Sequence, residues 1–135
     1  MKESGKRMVA CTAILLLLAG VVSASVYLKS VADYKKAVAE TNIGEIDISG
    51  IPDGVYAGEY DVNFIYVKVE VTVQSGEMTN ITLLEHKQER GKAAEAIVQD
   101  MIAEQKIDVD AVSGATNSSI VIKKAVENAL CNAVY

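Results

Sequence analysis

The sequence predicts an α+β fold, an antiparallel β-hairpin sheet covered by two helices, preceded by an N-terminal transmembrane helix. Three observations predict it: a long apolar run near the N-terminus, one stretch in which apolar and polar residues alternate, and two later segments with helical periodicity. The 135 residues are enough for one domain with a modest core and an appendage. Strands that precede helices, instead of alternating with them, are typical of the α+β class.

The N-terminal apolar run extends from Met8 to Leu28 and follows three cations among the first seven residues. About twenty apolar residues can cross a bilayer as a helix, and the cations favour a cytoplasmic N-terminus with the remainder outside. The small residues Val22-Ser23-Ala24 leave a cleaved signal peptide open as the alternative. We therefore expect residues 1–29 to be a membrane anchor or a signal segment, and the domain to be extracytoplasmic, or secreted if the segment is cleaved.

Charge and cysteine content exclude several classes of protein. The whole chain carries a net charge of −5 at pH 7, and residues 30–135 hold 9 Lys and Arg against 17 Asp and Glu, a net charge of −8. Such a domain repels nucleic-acid phosphates, so nucleic acid is not expected as a partner. Cys11 lies in the apolar run and Cys131 near the C-terminus, so we expect neither an internal disulfide nor a C-x-x-C site.

The segment from 30 to 52 is expected to be a stalk and a linker. It begins with an Ala-rich stretch that can continue the N-terminal helix, and it then contains two glycines and the only proline of the chain. The globular domain is therefore expected at residues 53–135.

Strand patterns dominate the first half of this domain. Val55–Tyr60 is a short strand candidate, and Val62–Val73 is the clearest strand, because Val and Ile alternate there with polar residues. Turn residues at 74–77 then predict a hairpin with a return strand at Thr79–Glu85. One hairpin cannot bury its apolar face alone, so helices must cover it.

Two helices are expected after the hairpin. Apolar residues recur at helical spacing from about Arg90 to Lys106, and again from about Ser119 to Asn132. Asn117-Ser118-Ser119 are strong N-cap types, so the last helix is expected to start among them. The hydroxyl of Thr116 would then lie just in front of a helix N-terminus, where free backbone N–H groups and the helix dipole favour a phosphate.

The stretch before that helix reads D-A-V-S-G-A-T, from Asp110 to Thr116, and a second motif, D-G-V-Y-A-G, runs from Asp53 to Gly58. With the hairpin between them, these motifs resemble the FMN-binding domain family over about residues 53–130. That family includes the C subunit of the sodium-translocating NADH:quinone reductase and the G subunit of Rnf complexes. The resemblance implies that FMN is joined through its phosphate to Thr116 by a dedicated flavin transferase.

The resemblance also implies roles for the rest of the motif. Asp110 is the acidic residue that the flavin transferase recognises, and Ser113 can hydrogen-bond the phosphate or the ribityl chain. Gly114 and Ala115 are small, so a bulky ligand can approach the backbone. On local sequence alone, Thr116, Asp110 and Ser113 are ordinary turn residues. The cofactor-binding set Asp110, Ser113, Gly114, Ala115 and Thr116 therefore rests on the resemblance.

Side chains outside the motif give weaker signals. His86 is the only histidine, which argues against a metal cluster, and it is either a strand-end residue or a neighbour of the flavin. Four aromatic residues are candidates for a wall against the flavin ring or for half-buried strand positions, namely Tyr56, Tyr60, Phe64 and Tyr66. We assign no catalytic residue and no metal ligand.

Together these observations predict an anchored, extracytoplasmic electron-transfer protein that carries FMN and exchanges electrons with redox partners in the membrane or cell envelope. The cofactor supplies the redox chemistry, so we expect a redox carrier or a subunit of an oxidoreductase system, not a self-contained enzyme. Two alternatives remain open: the same domain binds or senses FMN without a covalent bond, or it is an anchored interaction domain without a cofactor.

Overall fold

The core of the domain is built on strand β2 (Tyr66–Gln74), in which every second residue from Val67 to Val73 is a valine. The computed structural model describes residues 2–87 and 92–134. In it, the four valines of β2 are completely buried, and the residues between them are only partly buried. Because alternate residues of a strand point to opposite faces, this strand fixes which side of the sheet the helices must cover.

Two further strands pair with β2 in antiparallel fashion, β1 (Gly54–Asp61) on one side and β3 (Glu77–Lys87) on the other. Ser75 and Gly76 connect β2 to β3, and their φ angles of 54° and 76° are those of a two-residue type I′ hairpin turn. The predicted antiparallel hairpin sheet is therefore confirmed, and it has three strands.

Strand β2 begins four residues later than the alternation predicts, at Tyr66 instead of Val62. The residues between β1 and β2 form a tight loop, in which Asn63 adopts a φ of 73° and its backbone N–H donates to Asp61 Oδ1 at 2.8 Å. Asn tolerates this left-handed conformation better than most residues. Val62 and Ile65 are nevertheless buried, which explains why the apolar pattern extends into the loop.

The described residues also form three α-helices, α1 (Lys2–Glu40), α2 (Ile97–Glu104) and α3 (Thr116–Val134). Helix α3 packs on β1 and β2, and α2 packs on β3. The single helix expected from Arg90 to Lys106 begins outside the described residues, and its described part divides into a 3-10 helix (Lys92–Ala96) followed by α2. The α+β class, with two helices on the sheet, is confirmed.

The chain divides into two compact units, residues 1–33 and 34–135. Helix α1 contains an 18-residue stretch with a mean hydropathy of 2.4, so it is long and apolar enough to cross a membrane. A signal sequence near an N-terminus meets the same criterion. The second unit includes residues 34–52 as well as the sheet, and it buries Val38, Ile48 and Ile51.

Helix α3 lies directly against the backbone of β1 at Gly58. A Cβ on Gly58 would be 2.7 Å from Ala129 Cα and still closer to Ala125 O and Ala129 N. Ala125 and Ala129 are themselves completely buried. Only glycine leaves room for the helix at this position, so the last residue of the D-G-V-Y-A-G motif sets the distance between α3 and the sheet.

The first residue of the same motif, Asp53, contacts the hairpin turn between β2 and β3. Asp53 Oδ1 accepts a hydrogen bond from Ser75 N at 2.7 Å, which ties the chain before β1 to the hairpin turn. The hydroxyl of Tyr56 donates to Pro52 O at 2.7 Å. In this structure the motif D-G-V-Y-A-G therefore has an architectural role.

Side-chain amides occupy both outer edges of the sheet. On β1, Asn132 Nδ2 and Asn128 Nδ2 donate to the carbonyl oxygens of Ala57 and Glu59, at 3.0 and 2.9 Å. On β3, Gln105 bonds Met78 twice at 2.8 Å, because its Oε1 accepts from the backbone N–H and its Nε2 donates to the carbonyl. These amides satisfy backbone groups for which a three-stranded sheet has no neighbouring strand.

The same contacts give the direction of α3. Residue numbers fall along the helix, from Asn132 to Asn128, while they rise along β1, from Ala57 to Glu59. Helix α3 therefore runs antiparallel to β1. Its N-terminus points to the end of the sheet at which β1 ends, β2 begins and β3 ends, and we call this the motif end of the sheet.

Tyr66 lies on the face of the sheet opposite the helices and donates a hydrogen bond to Glu59 Oε2 at 2.8 Å. This hydrogen bond, followed by desolvation and the negative charges of Glu59, Glu85 and Asp61, raises the pKa of Tyr66 to about 12. Since the folded-state pKa exceeds the ordinary 10.0, the stabilisation is fully present below about pH 10 and is lost as the pH rises through about 12.

We expect spectrophotometric titration of the six tyrosines to include a step near pH 12 that disappears in Tyr66→Phe. If the high-pH part of the wild-type curve contains no step that Tyr66→Phe removes, the hydrogen bond to Glu59 does not persist in solution.

Candidate functional site

The candidate site is built on a four-residue turn, Val112 to Ala115, directly before α3. Ala115 N donates to Val112 O at 3.0 Å, and Gly114, the third residue of the turn, has a φ of 79°. A positive φ at this position is typical of a type II turn and selects glycine. A Cβ built on Gly114 meets no atom of the described chain within 4 Å, so the outer side of the turn is open to a ligand.

Helix α3 begins at Thr116, three residues earlier than Ser119. The expectation that the helix starts among Asn117-Ser118-Ser119 is therefore wrong, and Thr116 is the first helical residue instead of the residue in front of the helix. Thr116 is exposed. The first N–H groups of a helix have no acceptor within it, so the positive end of the helix dipole lies at this hydroxyl.

Ser119 fastens the turn to the helix. It is completely buried, its Oγ donates to Ala115 O at 2.8 Å, and the same Oγ accepts from Val112 N at 3.0 Å. One hydroxyl thus bonds the first and the last residue of the turn. The sequence suggests Ser119 only as a cap residue, because its bond to Val112 depends on how the preceding segment folds back.

The structure places three of the five predicted cofactor-binding residues, Ser113, Gly114 and Ala115, on one turn, and Thr116 follows directly as the first residue of α3. Ser113, Gly114 and Thr116 are exposed, and Ala115 is buried between the turn and the core. Asp110 is also exposed and precedes the turn in an irregular segment. The accessible part of the motif therefore consists of two hydroxyl groups, a glycine backbone and a carboxylate.

A buried lysine holds the segment that leads into the turn. Lys123 Nζ donates to Asp108 Oδ1 at 3.0 Å, and the lysine side chain is 7% exposed whereas that of Asp108 is 58% exposed. Lys123 lies two turns after Thr116 along α3. Sequence patterns did not single out either residue, since a lysine on an amphipathic helix is normally expected to be solvated.

Further charges lie between α2 and the turn. The hydrogen bond of Lys106 to Glu104 and the charge of Glu104 raise the pKa of Lys106, with smaller contributions from Asp110 and Asp108. Lys106 therefore remains a cation at neutral pH and offsets part of the negative charge of the two aspartates. The local field is mixed, so a bound anion depends on the backbone N–H groups at the start of α3 rather than on a cluster of cations.

His86 lies near the end of β3 with its ring enclosed. Its side chain is 4% exposed, and Nδ1 is 3.1 Å from Glu95 Oε1 of the 3-10 helix before α2. The described residues contain no group of three or more His, Cys, Asp or Glu able to hold a metal ion. His86 is therefore paired with the single carboxylate of Glu95, and no local sequence pattern indicates that partner.

The four aromatic residues of the strand region do not form one wall. The Tyr60 hydroxyl is 3.0 Å from Thr41 Oγ1, and the Phe64 ring packs edge-on against Tyr34 with ring centroids 5.2 Å apart. Tyr66 lies on the other face of the sheet, bonded to Glu59 as described above. The structure therefore does not bring these rings together at the turn.

Comparison with protein families identifies the domain that contains this turn. Residues 65–131 match the model of the FMN-binding domain, from the start of β2 to the last turns of α3. The match contains the turn at Val112–Ala115, Thr116 and His86. No curated protein and no solved structure gives a significant match to the chain. The family model supports FMN as the ligand, and on this match residues 65–131 of the chain are an FMN-binding domain.

Proposed function

We propose that this protein is a membrane-anchored, extracytoplasmic electron carrier whose FMN is attached through its phosphate to Thr116. The observation that carries the proposal is the position of Thr116: an exposed hydroxyl at the first residue of α3, next to a turn whose outer side is open at Gly114. The residues present fit an FMN phosphate, because they offer a hydroxyl for esterification and free backbone N–H groups beside it.

The residues of the turn have separate roles in this proposal. Gly114 provides the positive φ that the turn needs, and it leaves the approach to Thr116 unobstructed. Ser113 supplies an exposed hydroxyl that can hydrogen-bond the phosphate or the ribityl chain. A phosphodiester keeps one negative charge, which the N-terminus of α3 stabilises by about 0.3–1 kcal/mol at an exposed site.

A rigid support keeps the attachment point in place. Ser119 bonds both ends of the turn, and Lys123 holds the preceding segment through Asp108. When bound, FMN supplies the electron-transfer chemistry, and the protein supplies attachment, orientation and electrostatics. We therefore assign no substrate-transforming residue to this chain.

Location outside the cytoplasm gives a covalent bond a physical advantage. A flavin held with a micromolar Kd, about −8 kcal/mol, dissociates and is diluted in an open compartment, whereas an ester-linked flavin stays with the protein. In the proposed arrangement α1 anchors the chain with its N-terminus in the cytoplasm, and a flavin transferase loads the exported domain. Electrons then pass between redox partners in the membrane or cell envelope.

The test is co-expression of the full chain with a flavin transferase, followed by denaturing electrophoresis and peptide mass spectrometry. We expect a fluorescent band and the FMN mass increment on the peptide that contains Thr116. Thr116→Ala should lose both, and Thr116→Ser should keep them because the hydroxyl is retained. Thr79→Ala, which removes an exposed threonine of β3, is the matched control and should be flavinylated like the wild type.

The same experiment separates the alternatives. A yellow native protein that releases its flavin on denaturation indicates non-covalent binding. A colourless protein after expression with the transferase indicates an interaction domain without a cofactor. Retention of the mass increment in Thr116→Ala shows that another residue is the attachment point.

A further inference from the structure

His86 carries an unmet hydrogen-bonding requirement. Its Nδ1 is bonded to Glu95, whereas its Nε2 has no partner, and this is the single buried side-chain nitrogen or oxygen atom in that state within the described part of the chain. Buried polar atoms are hydrogen-bonded in the large majority of cases, and each exception needs an explanation. A ligand that completes the site is one such explanation.

The bond to Glu95 determines which chemistry Nε2 offers. An ionised carboxylate can only accept a hydrogen bond, so Nδ1 must carry the proton in the pair. In the neutral imidazole the other nitrogen is then an acceptor. Glu95 therefore acts as a positioning residue, which fixes the ring and presents the lone pair of Nε2 to a hydrogen-bond donor.

The topology places this acceptor at the same end of the domain as Thr116. His86 pairs with Val67, the second residue of β2, on the buried face of the sheet and at the motif end. The 3-10 helix that carries Glu95 contacts α3. Thr116 is twelve residues before Asn128, about 18 Å along the helix axis, and the bond of Asn128 to Glu59 places Thr116 beyond the motif end of the sheet.

We propose that Nε2 of His86 accepts a hydrogen bond from an N–H group of the isoalloxazine ring of FMN attached at Thr116. This inference rests on the proposed function. The ring system carries an imide N–H, whereas the phosphodiester offers only acceptors and cannot satisfy Nε2. A ring that folds back from Thr116 towards the motif end of the sheet brings a donor to the acceptor that Glu95 holds in place.

Nitrogen NMR tests this bond directly, because His86 is the only histidine and labelling with ¹⁵N-histidine reports on a single ring. The comparison is between the flavinylated full chain and Thr116→Ala, both in detergent micelles. We expect the Nε2 resonance to shift from the value of a free acceptor nitrogen towards that of a hydrogen-bonded one on flavinylation. The Nδ1 resonance should remain that of a protonated nitrogen in both proteins. An Nε2 resonance that is unchanged by flavinylation overturns the assignment.

The midpoint potential of the flavin gives a second readout. In His86→Leu, which removes the acceptor, we expect at least a tenfold change in the ratio of reduced to oxidised flavin at a fixed potential. For a two-electron couple this is about 30 mV. His86→Gln offers an amide oxygen and should recover part of the shift. Glu85→Gln changes an exposed neighbour on the same strand and should leave the potential near that of the wild type.

If His86→Leu does not fold, Glu95→Gln keeps the imidazole but removes the carboxylate that fixes its proton, and it should shift the potential in a folded protein. Equal midpoint potentials in the wild type, Glu95→Gln and His86→Gln overturn the inference about His86. In that case a fluorescent band of the wild type after denaturing electrophoresis leaves the proposed function intact. A wild type that takes up no flavin overturns both.

Discussion

Gly58→Ala is expected to lower the free energy of unfolding by at least about 3 kcal/mol, the upper end of the usual cost of forcing extra atoms into a packed core. The added methyl would collide with Ala125 O and with the backbone of Ala129. Since the obstructing atoms belong to the backbone, no side-chain rotation relieves the collision. The helix must therefore move away from β1, and the hydrogen bonds from the asparagine side chains of α3 to this strand must lengthen or break.

The measurement is thermal unfolding of the full chain in detergent, followed by the near-UV circular dichroism of the tyrosines. For a domain of about 100 residues, 3 kcal/mol corresponds to a fall in Tm of about 12 °C or more. Gly50→Ala is the matched control, because a Cβ there meets nothing within 4 Å. A Gly58→Ala protein that melts within a few degrees of Gly50→Ala would show that α3 does not lie this close to β1.

Asp108→Ala and Lys123→Met are expected to differ, although they break the same ion pair. Asp108→Ala leaves a nearly buried ammonium without its carboxylate, and we expect a cost of about 1–3 kcal/mol, the penalty of an unsatisfied buried polar group. Lys123→Met leaves a carboxylate that is 58% exposed and already solvated, and the methionine fills the space of the lysine stem. We expect its cost to stay below about 1 kcal/mol.

Unfolding by urea, with the double mutant as the fourth corner of a cycle, measures this asymmetry. Asp108→Ala combined with Lys123→Met should be more stable than Asp108→Ala alone, because the unpaired charge is gone. Asp108→Asn keeps an acceptor without the charge and should lie between the wild type and Asp108→Ala. Equal losses in the two single variants would mean that Lys123 is solvated and does not anchor the segment before the turn.

The sheet was predictable because its signal is local. The valines of β2 repeat with period two over the seven residues from Val67 to Val73, and Ser75-Gly76 carries the chemistry of a tight hairpin turn, so strand, face and connection follow from neighbouring residues. The start of β2 was misplaced because Val62 and Ile65 are buried in a loop instead of a ladder. The alternation of apolar residues reflects burial, and Val62 and Ile65 are buried although they precede the hydrogen-bonded strand.

The supports of the candidate site were not predictable in the same way. Ser119 belongs to the residue types that favour caps, but here its hydroxyl bonds the carbonyl four residues earlier and the amide of Val112, which is the competing local use of serine. The partners of Lys123 and His86 are separated from them by 15 and 9 residues. Pairings of this kind depend on the packing of α3 and of the 3-10 helix, and no pattern in the chain encodes them separately.

The two motif glycines, Gly114 and Gly58, illustrate what local sequence predicts and what depends on distant packing. The small size of Gly114 predicts close approach of a ligand, and the structure adds a stricter reason for glycine, because its φ of 79° is costly for other residues. Gly58 is part of the D-G-V-Y-A-G motif, and the physical reason for a glycine there is the backbone of a helix more than sixty residues later. A glycine that is required by its own positive φ can be inferred from a turn pattern, whereas a glycine that is required by close contact with a distant segment cannot.

The amides that border the sheet have a consequence for the self-association of the domain. A small sheet with bare outer strands can recruit a strand from a neighbouring copy and grow into fibrils. Asn128, Asn132 and Gln105 already bond four of the backbone groups that such recruitment would use, namely Ala57 O, Glu59 O, Met78 N and Met78 O. At the positions that they occupy, these side chains disfavour pairing of the outer strands with a second copy of the domain.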